Sequence, residues 1–363
     1  MNKTLALIDH RPEIFRSPLG NTEEVDVVEF QSGQEGYEKL FEVLVQGRKR
    51  IRKGDYNIIL VNDGRTIGLA AYILSKIYSI PVVVRLGGDF WMTNTENLRS
   101  QIREKNISGT ILYFILRLIN NFLFNRVLGF IVVSKDLKEK VSEKTSTPEE
   151  RIQVCYPPIR IAQECIAKKE GLEKHFNILT VTNLRFEGKF LAVKDGLECV
   201  AKFLSDHPNA EYHIAGGGKY INNLREEVES IEEDGLRNRI TILGYVDDIE
   251  SMYNKADVFL YFSYLDGFPN VVTEAQVAGL PVITNPKFGM CEQVEDGVTG
   301  FHVSPNDCSN TIEKLTLLLS DRNIQERIGR NARETVLHRQ SQDAVRRQMK
   351  NALSNIYSYE EQH

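Results

Sequence analysis

Two acidic residues, Asp266 and Glu274, flank a turn whose sequence could bind a charged ligand rich in hydroxyl groups. The preceding segment VFLYFS predicts a buried strand, and the glycine and proline after Asp266 predict a turn into a helix that starts near Asn270. The first amides of a helix lack intrahelical acceptors and bind anions, so a diphosphate is the expected ligand group. The two carboxylates would accept hydrogen bonds from hydroxyls, such as those of a sugar or a ribose.

Several other chemistries lack their sequence patterns. The chain has no G-x-G-x-x-G that opens a β-α unit, no G-x-x-x-x-G-K-[ST], no G-x-S-x-G and no H-E-x-x-H. Gly216–Gly218 is interpreted as a turn at a strand end rather than as a phosphate loop. The five cysteines are widely spaced without a C-x-x-C pair, so neither a disulfide framework nor a zinc site is predicted.

The remaining sequence predicts two α/β domains. The 363 residues are 42% apolar and 26% charged, which fits an ordinary folded protein and excludes disordered and low-complexity classes. Apolar runs rich in Val and Ile alternate with helical patterns, as in β-α-β units with parallel sheets. Helices are predicted over 36–53, 66–78 and 111–128. A charged stretch after Pro157 marks the boundary, which predicts domains over 1–170 and 171–340 and a last helix, 341–363, that packs back on the first domain. In such a pair, the ligand site is expected between the domains, in a shared cleft at the carboxyl ends of the strands.

The N-terminal half carries the positive charge. Residues before Phe176 hold 26 Lys and Arg against 22 Asp and Glu, whereas the rest hold 19 against 28. The cluster RKRIRK at Arg48–Lys53 is interpreted as a solvated helix end in preference to a site for phosphates or lipid headgroups. The apolar segment 111–133 is too interrupted by polar residues to span a bilayer, and its single polar stripe favours a buried core helix over a membrane or partner surface. The short apolar run at the N-terminus is interpreted as a first strand of a cytosolic protein.

An ordered series of segments resembles a known family. Asp266 to Glu274 resembles the E-x7-E motif of the retaining, family 4 type glycosyltransferases with the GT-B fold, which have two facing Rossmann-like domains. The likeness extends over 176–307 through NILTVTNLRFEGK, YHIAGGG and AGLPVITN, and more loosely into the first half through IPVVVRLGGDFW.

The resemblance implies a role for each matching position. Arg185 and Lys189 would neutralise the departing diphosphate without a metal, Glu274 would hold the ribose, and Asp266 would hold hydroxyls of the transferred sugar. The remaining donor-binding positions implied by the resemblance are Tyr245 and Val246 at the base, and Gly267, Phe268, Pro269, Asn270 and Val271 at the sugar and phosphates. No cofactor is implied, since the nucleotide sugar is a substrate.

The sequence departs from the family at two places. Asp266 replaces the usual glutamate, which leaves the identity of the donor sugar open. The usual glycine-rich loop after the first strand is not evident, with Gly20 as its remnant, and Asp89 is the predicted acceptor-side residue. Simpler roles exist for the same residues: Asp266 could cap a helix, Glu274 could serve a helix dipole, Arg185 could form a surface ion pair, and Asp89 could cap a turn.

We therefore expect a metal-independent hexosyltransferase of polysaccharide biosynthesis that uses a nucleotide diphosphate sugar, with a UDP-sugar as the expected donor. The acceptor would be a lipid-linked or cell-surface glycan precursor, and nucleic acid is not a predicted partner. The expected location is cytoplasmic, peripheral at the inner face of the membrane through the N-terminal domain. The alternatives are a catalytically inactive donor-binding subunit of a glycosylation complex, and a GT-B epimerase or phosphorylase.

Overall fold

The computed structural model describes residues 3–8, 25–30, 37–161 and 175–362. The chain forms two compact units: Met1–Pro158 together with Gln340–His363, and Ile159–Arg339. Each unit contains a parallel six-stranded sheet, which confirms the predicted doubly wound α/β architecture. The boundary predicted at residue 170 falls within 162–174, outside the described residues.

The first sheet has the strand order β2-β1-β3-β4-β5-β6. Its strands, β1 to β6 in chain order, are Thr4–Ile8, Val25–Glu29, Ile58–Asn62, Val82–Leu86, Gly129–Val132 and Ile152–Val154. The central strands β1, β3 and β4 are buried at every residue, which explains why they appear in the sequence as continuous apolar runs.

Helices connect these strands in the described part of the first unit. They are α1 to α5: Tyr37–Ile51, Arg65–Tyr78, Phe90–Arg103, Ile107–Phe124 and Lys135–Lys144. The sequence reasoning missed α3 because few of its residues are apolar and, among its described residues, the buried ones are Phe90 and Asn94. The start of α3 is fixed by the side chain of Asp89, which accepts a hydrogen bond from the amide of Met92.

The second sheet has the strand order β12-β11-β10-β7-β8-β9. Its strands, β7 to β12, are Phe176–Val181, Ala210–Ala215, Ile240–Gly244, Val258–Tyr261, Val282–Thr284 and Gly300–His302. The remaining helices, α6 to α14, are Glu187–Asp206, Ile221–Glu229, Asp234–Arg237, Ile249–Lys255, Asn270–Val277, Met290–Gln293, Cys308–Ser320, Arg322–Gln340 and Gln342–Gln362.

The last helix, α14, packs on the first sheet, where its apolar residues join the core that contains Ala6 and Ile131. Val345, Met349 and Ile356 recur at helical spacing and are fully buried. Gln348 adds a polar contact, since its Oε1 accepts a hydrogen bond of 3.1 Å from the amide of Tyr156.

The apolar helix α4 corrects a prediction. The segment was expected to be buried in the core, but the apolar side chains on its outer side are 46 to 74% exposed. The physical reason is that α4 packs mainly against α2 and α3, so it forms an outer layer and only one side of it is covered. By length and composition, α4 is the one helix in the described part of the chain that could cross a membrane, with 17% of it buried.

A disulfide is the second correction. Cys199 on α6 is bonded to Cys308 at the start of α12, although no disulfide was predicted. The two cysteines are 109 residues apart, and they meet only because α6 and α12 pack together. Cys155 is buried, Cys291 is exposed, and Cys165 lies outside the described residues.

Candidate functional site

The candidate site lies where the order of the second sheet reverses. Strands β7 and β10 are neighbours at the middle of the sheet, with β8 and β9 on one side and β11 and β12 on the other. The connections after two such strands leave in opposite directions, which opens a crevice at their carboxyl ends where ligands of open sheets bind. The segments after β7 and β10 carry Arg185, Lys189 and Asp266, so the topology brings the predicted residues to this point.

An ion pair joins the two segments. Lys189 Nζ, on the first turn of α6, lies 2.9 Å from Asp266 Oδ1, and Lys189 is only 7% exposed. The other carboxylate oxygen, Oδ2, accepts hydrogen bonds from the hydroxyl of Tyr261 and from Ser263 Oγ, the latter at 2.9 Å. Three donors therefore fix the carboxylate, and the carboxylate offsets the cost of burying the lysine.

Asp266 is not the cap of the helix that follows. Helix α10 begins after Pro269, and no side chain caps its start. Gln293 braces this turn from the next helix, since its Nε2 donates to the carbonyl of Pro269 at 2.9 Å and to Thr273 Oγ1 at 3.1 Å. Asn270 and Val271 contribute the first amides of α10, the position at which a helix binds anions.

Glu274 lies on α10, mostly shielded from solvent. Its Oε2 accepts a hydrogen bond of 3.0 Å from the hydroxyl of Tyr253. Burial raises the pKa of Glu274, whereas the Tyr253 hydroxyl and the charge of Arg160 lower it, and Glu250 raises it further. Burial and the neighbouring Glu274 likewise hold the pKa of Tyr253 well above 10.0. Glu274 is thus a poorly solvated carboxylate that gains from hydroxyl donors.

The two predicted cations differ in their surroundings. Lys189 is buried and paired, whereas Arg185 is exposed and its side chain makes no ion pair or hydrogen bond within the described residues. Arg185 therefore has its guanidinium available for an anionic ligand.

The loops after β8 and β9 carry the remaining predicted positions of this unit. Tyr245 follows β9 and is 83% exposed, so its ring can stack on a flat ligand, and Val246 beside it is half-buried. Gly216 and Gly218 both have φ in the left-handed range, and a Cβ at Gly216 would lie 1.6 Å from the carbonyl oxygen of Thr182. This close approach to the loop after β7 favours the interpretation of the glycines as a turn.

The first-unit candidates do not share these features. Asp89 is 4% exposed; its Oδ1 caps α3 and its Oδ2 pairs with Lys140. Both oxygens thus have structural partners. Burial raises the pKa of the nearby Asp136, Lys140 lowers it, and Asp89 raises it further. Gly20 lies outside the described residues. In the described ranges, no group of three or more His, Cys, Asp or Glu residues is arranged to hold a metal ion.

Sequence reasoning missed three residues that hold the acids: Tyr253, Tyr261 and Ser263. A signal existed for Tyr261, because a tyrosine in a buried strand needs a partner for its hydroxyl. Ser263 is held in turn by Asn285, whose side chain accepts from its amide and donates to its carbonyl, both at 2.9 Å. Tyr253 is 21 residues from Glu274 and gave no sequence signal.

The sequence of this chain is similar to known glycosyltransferases. The model of the family described as glycosyl transferases group 1 matches residues 163–335. An uncharacterized glycosyltransferase of Methanocaldococcus jannaschii is 29% identical over 234 residues, which covers 61% of this chain and 58% of that protein. The capsular polysaccharide biosynthesis glycosyltransferase CapM of Staphylococcus aureus is 26% identical over 245 residues, which covers 64% of this chain and 63% of that protein. The chain thus spans less than two thirds of either relative.

A solved structure extends the comparison to the whole chain. HepE of Anabaena, in complex with UDP, matches with a TM-score of 0.70 over 97% of this chain and 99% of that chain, at 19% identity. At this level of identity, the likeness shows the fold. The chain has the fold of the GT-B glycosyltransferases, and its residues 163–335 carry the sequence pattern of glycosyl transferases group 1.

Proposed function

We propose that this chain is a retaining glycosyltransferase of the family 4 type, which moves a hexose from a UDP-sugar to an acceptor hydroxyl. The observation that carries the proposal is the buried Lys189–Asp266 ion pair at the switch point of the second sheet, within the segment that matches the group 1 family. The UDP bound to HepE supports UDP as the nucleotide of the donor.

The leaving group explains the two cations. Transfer breaks the bond between the anomeric carbon and the diphosphate oxygen, and the electron pair stays on that oxygen. Arg185 and Lys189, with the first amides of α10, would stabilise this charge, and each donor aimed at such a charge contributes about 3 kcal/mol in comparable enzymes. The cations would thereby do the work of a metal ion, so we propose that transfer is metal-independent.

The acids would bind the hydroxyl groups of the donor. A carboxylate offers about four lone-pair positions, and Asp266 uses three of them for Lys189, Tyr261 and Ser263. The remaining position, on Oδ1, would accept a hydroxyl of the sugar, and Glu274 would accept those of the ribose. The other donor contacts would come from the base side and the turn: Tyr245, Val246, Gly267, Phe268, Pro269, Asn270 and Val271.

Retention follows if the acceptor attacks from the face that the diphosphate leaves. The new bond joins the acceptor oxygen to the anomeric carbon, and the acceptor proton passes to the departing phosphate oxygen. The capsular polysaccharide role in the name of CapM supports a glycan precursor as acceptor. We place this reaction in the cytoplasm at the inner face of the membrane. A role of Asp89 in orienting the acceptor stays a prediction.

The test is a turnover assay with the purified chain and a panel of nucleotide sugars, with and without a glycan or lipid-linked acceptor. We expect nucleoside diphosphate release that needs the acceptor, full activity in EDTA, and a product whose anomeric configuration, by NMR, equals that of the donor. Glu274→Ala should lose most of this activity, and Glu229→Ala, at an exposed glutamate on α7, is its matched control.

Three outcomes would contradict the proposal. Donor binding without released diphosphate would identify an inactive donor-binding subunit. Conversion of the sugar without acceptor, or with phosphate alone, would identify an epimerase or a phosphorylase. An absolute need for a divalent cation would reject the role of the cations.

A further inference from the structure

The outer side of α4 is apolar along its whole length. Ile107, Ile111, Phe114, Leu118 and Phe122 lie along one side of the helix and are 48 to 74% exposed, and Ile115 beside them is 46% exposed. We call these six residues the α4 apolar face. Water-soluble surfaces rarely keep an apolar patch of this extent uncovered, and such patches mark interaction sites.

The opposite side of α4 fixes the helix to its unit. Asn120 is fully buried, and its Oδ1 accepts a hydrogen bond of 2.6 Å from the amide of Arg65. Phe124 is 1% exposed and packs edge-on against Phe90 and Trp91, at 5.3 and 5.6 Å between ring centroids. A helix with such an inner side contributes its outer face to a surface, and this anchoring argues that α4 lies along an interface rather than crosses it.

The charges along the face and at its C-terminal end have one sign. No Asp or Glu occurs from residue 105 to 135, and Arg117 is the one charged residue within α4. At the C-terminal end of the face, the guanidinium of Arg126 lies 3.8 Å from the ring centroid of Phe122. Tyr72 touches the same ring edge-on, and Lys76 lies 5.3 Å from the centroid of Tyr72.

A cationic pocket adjoins this end of the face. It has a volume of about 390 Å³, and among the described residues its lining includes Lys76, Arg126 and Arg151 and no carboxylate. Nε of Arg151 is buried and has no hydrogen-bond partner in the described part of the chain. Ser75 and Ser79 also line the pocket and can donate hydrogen bonds. The pocket lies at the start of β4 and β5, the edge of the first sheet opposite the carboxyl ends of its strands.

We propose that the α4 apolar face and the cationic pocket form a docking surface for an anionic lipid bilayer. The apolar side chains enter the boundary between headgroups and acyl chains, and Lys76, Arg126 and Arg151 bind headgroup phosphates. An apolar face that continues into a cluster of cations is the pattern of a helix that lies in an anionic membrane interface. A second copy of the same surface would bring no phosphate groups to the cationic pocket, so we favour the bilayer. The inference concerns binding alone and does not depend on the proposed transfer reaction.

The test is co-sedimentation of the full chain with vesicles of phosphatidylcholine alone and of phosphatidylcholine mixed with phosphatidylglycerol. We expect binding to the mixed vesicles that weakens as salt is added, and much weaker binding to phosphatidylcholine alone. Phe114→Ser with Leu118→Ser should weaken binding by about tenfold or more. Lys76→Ala and Arg126→Ala should each weaken binding to the mixed vesicles by about fivefold.

Matched controls come from the second unit, where Leu319→Ser changes an exposed apolar residue and Arg225→Ala an exposed cation; both should bind like the parent chain. If the double serine variant unfolds early in a thermal scan, Phe114→Ser alone and the two cation variants decide the question. Equal binding by all variants, or no binding to either vesicle, would overturn the proposal. So would a dimer in solution that the double serine variant disrupts while vesicle binding is absent, because the face would then be an interface between copies.

Discussion

Each sheet carries an aspartate after one of its strands that pairs with a lysine from a helix of the same unit, and the two pairs differ in what else holds the acid. Asp89, after β4, pairs with Lys140 and accepts from the amide of Met92. Asp266, after β10, pairs with Lys189 and accepts from two hydroxyls. The first acid is thus built into a helix start, whereas the second is held by side chains around a crevice.

This difference separates a structural acid from a candidate functional one. A backbone partner stabilises the helix that contains it, so the start of α3 accounts for one oxygen of Asp89 and the ion pair with Lys140 for the other. The hydroxyls on Asp266 start no helix; they orient a carboxylate that still has an acceptor position open. The number of contacts is therefore a poorer guide to a site than the kind of partner.

The largest effect is expected from the second sheet. Arg185→Ala and Glu274→Ala should each lower kcat/KM for transfer by about 100-fold or more, because they remove charge stabilisation and ribose binding. Arg185 is exposed, so the melting temperature of Arg185→Ala should match that of the parent chain, and Arg225→Ala serves as the matched control. Full activity in either variant would show that the donor does not bind at this site of the second sheet.

The two aspartates can be compared directly through Asp266→Asn and Asp89→Asn. Asp266→Asn should lower kcat/KM by about tenfold or more and also lower the melting temperature, because it leaves buried Lys189 without its counter-charge. Asp89→Asn should stay within about threefold of the parent activity, since asparagine also caps helices. If Asp89→Asn loses as much activity at an unchanged melting temperature, Asp89 acts on the acceptor.

The pH profile should show the burial of Glu274. Its pKa is raised above the ordinary 4.5, mainly by burial, and the carboxylate form accepts the ribose hydroxyls. The KM for the donor should therefore rise as pH falls, beginning at a higher pH than an ordinary glutamate would give. Initial rates at several acidic pH values measure this rise in KM. If the rise is absent in Glu274→Gln, it is due to the titration of Glu274. A rise in KM centred on the ordinary glutamate pKa of 4.5 in the parent chain would contradict the burial of Glu274.

The smallest effect is on stability. Because the pKa of Glu274 is higher in the folded than in the unfolded chain, the folded state binds the proton more tightly, and stability falls as pH rises through the folded-state pKa. Glu274→Gln is neutral throughout, so it should melt at a higher temperature than the parent at neutral pH and lose this advantage below about pH 4.5. Equal melting temperatures at every pH would show that the carboxylate is well solvated.

Local patterns predicted much of this molecule, and long-range packing produced the rest. The buried strands of both sheets were predicted because they are continuous runs of Val, Ile and Leu. Helix α3 was missed because its residues lack a wide apolar stripe. The face of α4 was assigned to the core because periodicity tells which residues share a side of a helix and not whether another layer covers that side.

In the candidate site, too, the sequence predicted the local features and not the long-range contacts. Asp266 and Glu274 were placed from the spacing of a motif within one loop and one helix. The partners of these acids come from elsewhere along the chain, as Tyr253 shows, and a single sequence holds no signal for such pairs. The different surroundings of Arg185 and Lys189 also result from packing. Arg185 precedes α6 and Lys189 lies on its first turn, and it is the lysine that pairs with Asp266.

The path of the chain has a consequence for biosynthesis. Residues of α14, including Met349 and Ile356, complete the core beneath the first sheet, while the second unit is a continuous stretch between the two parts of the first. During translation the second unit is therefore fully synthesised before the first unit has all of its core residues. Until α14 is synthesised, the N-terminal strands have an uncovered apolar side, and a ribosome that stalls before α14 would leave that side exposed to aggregation.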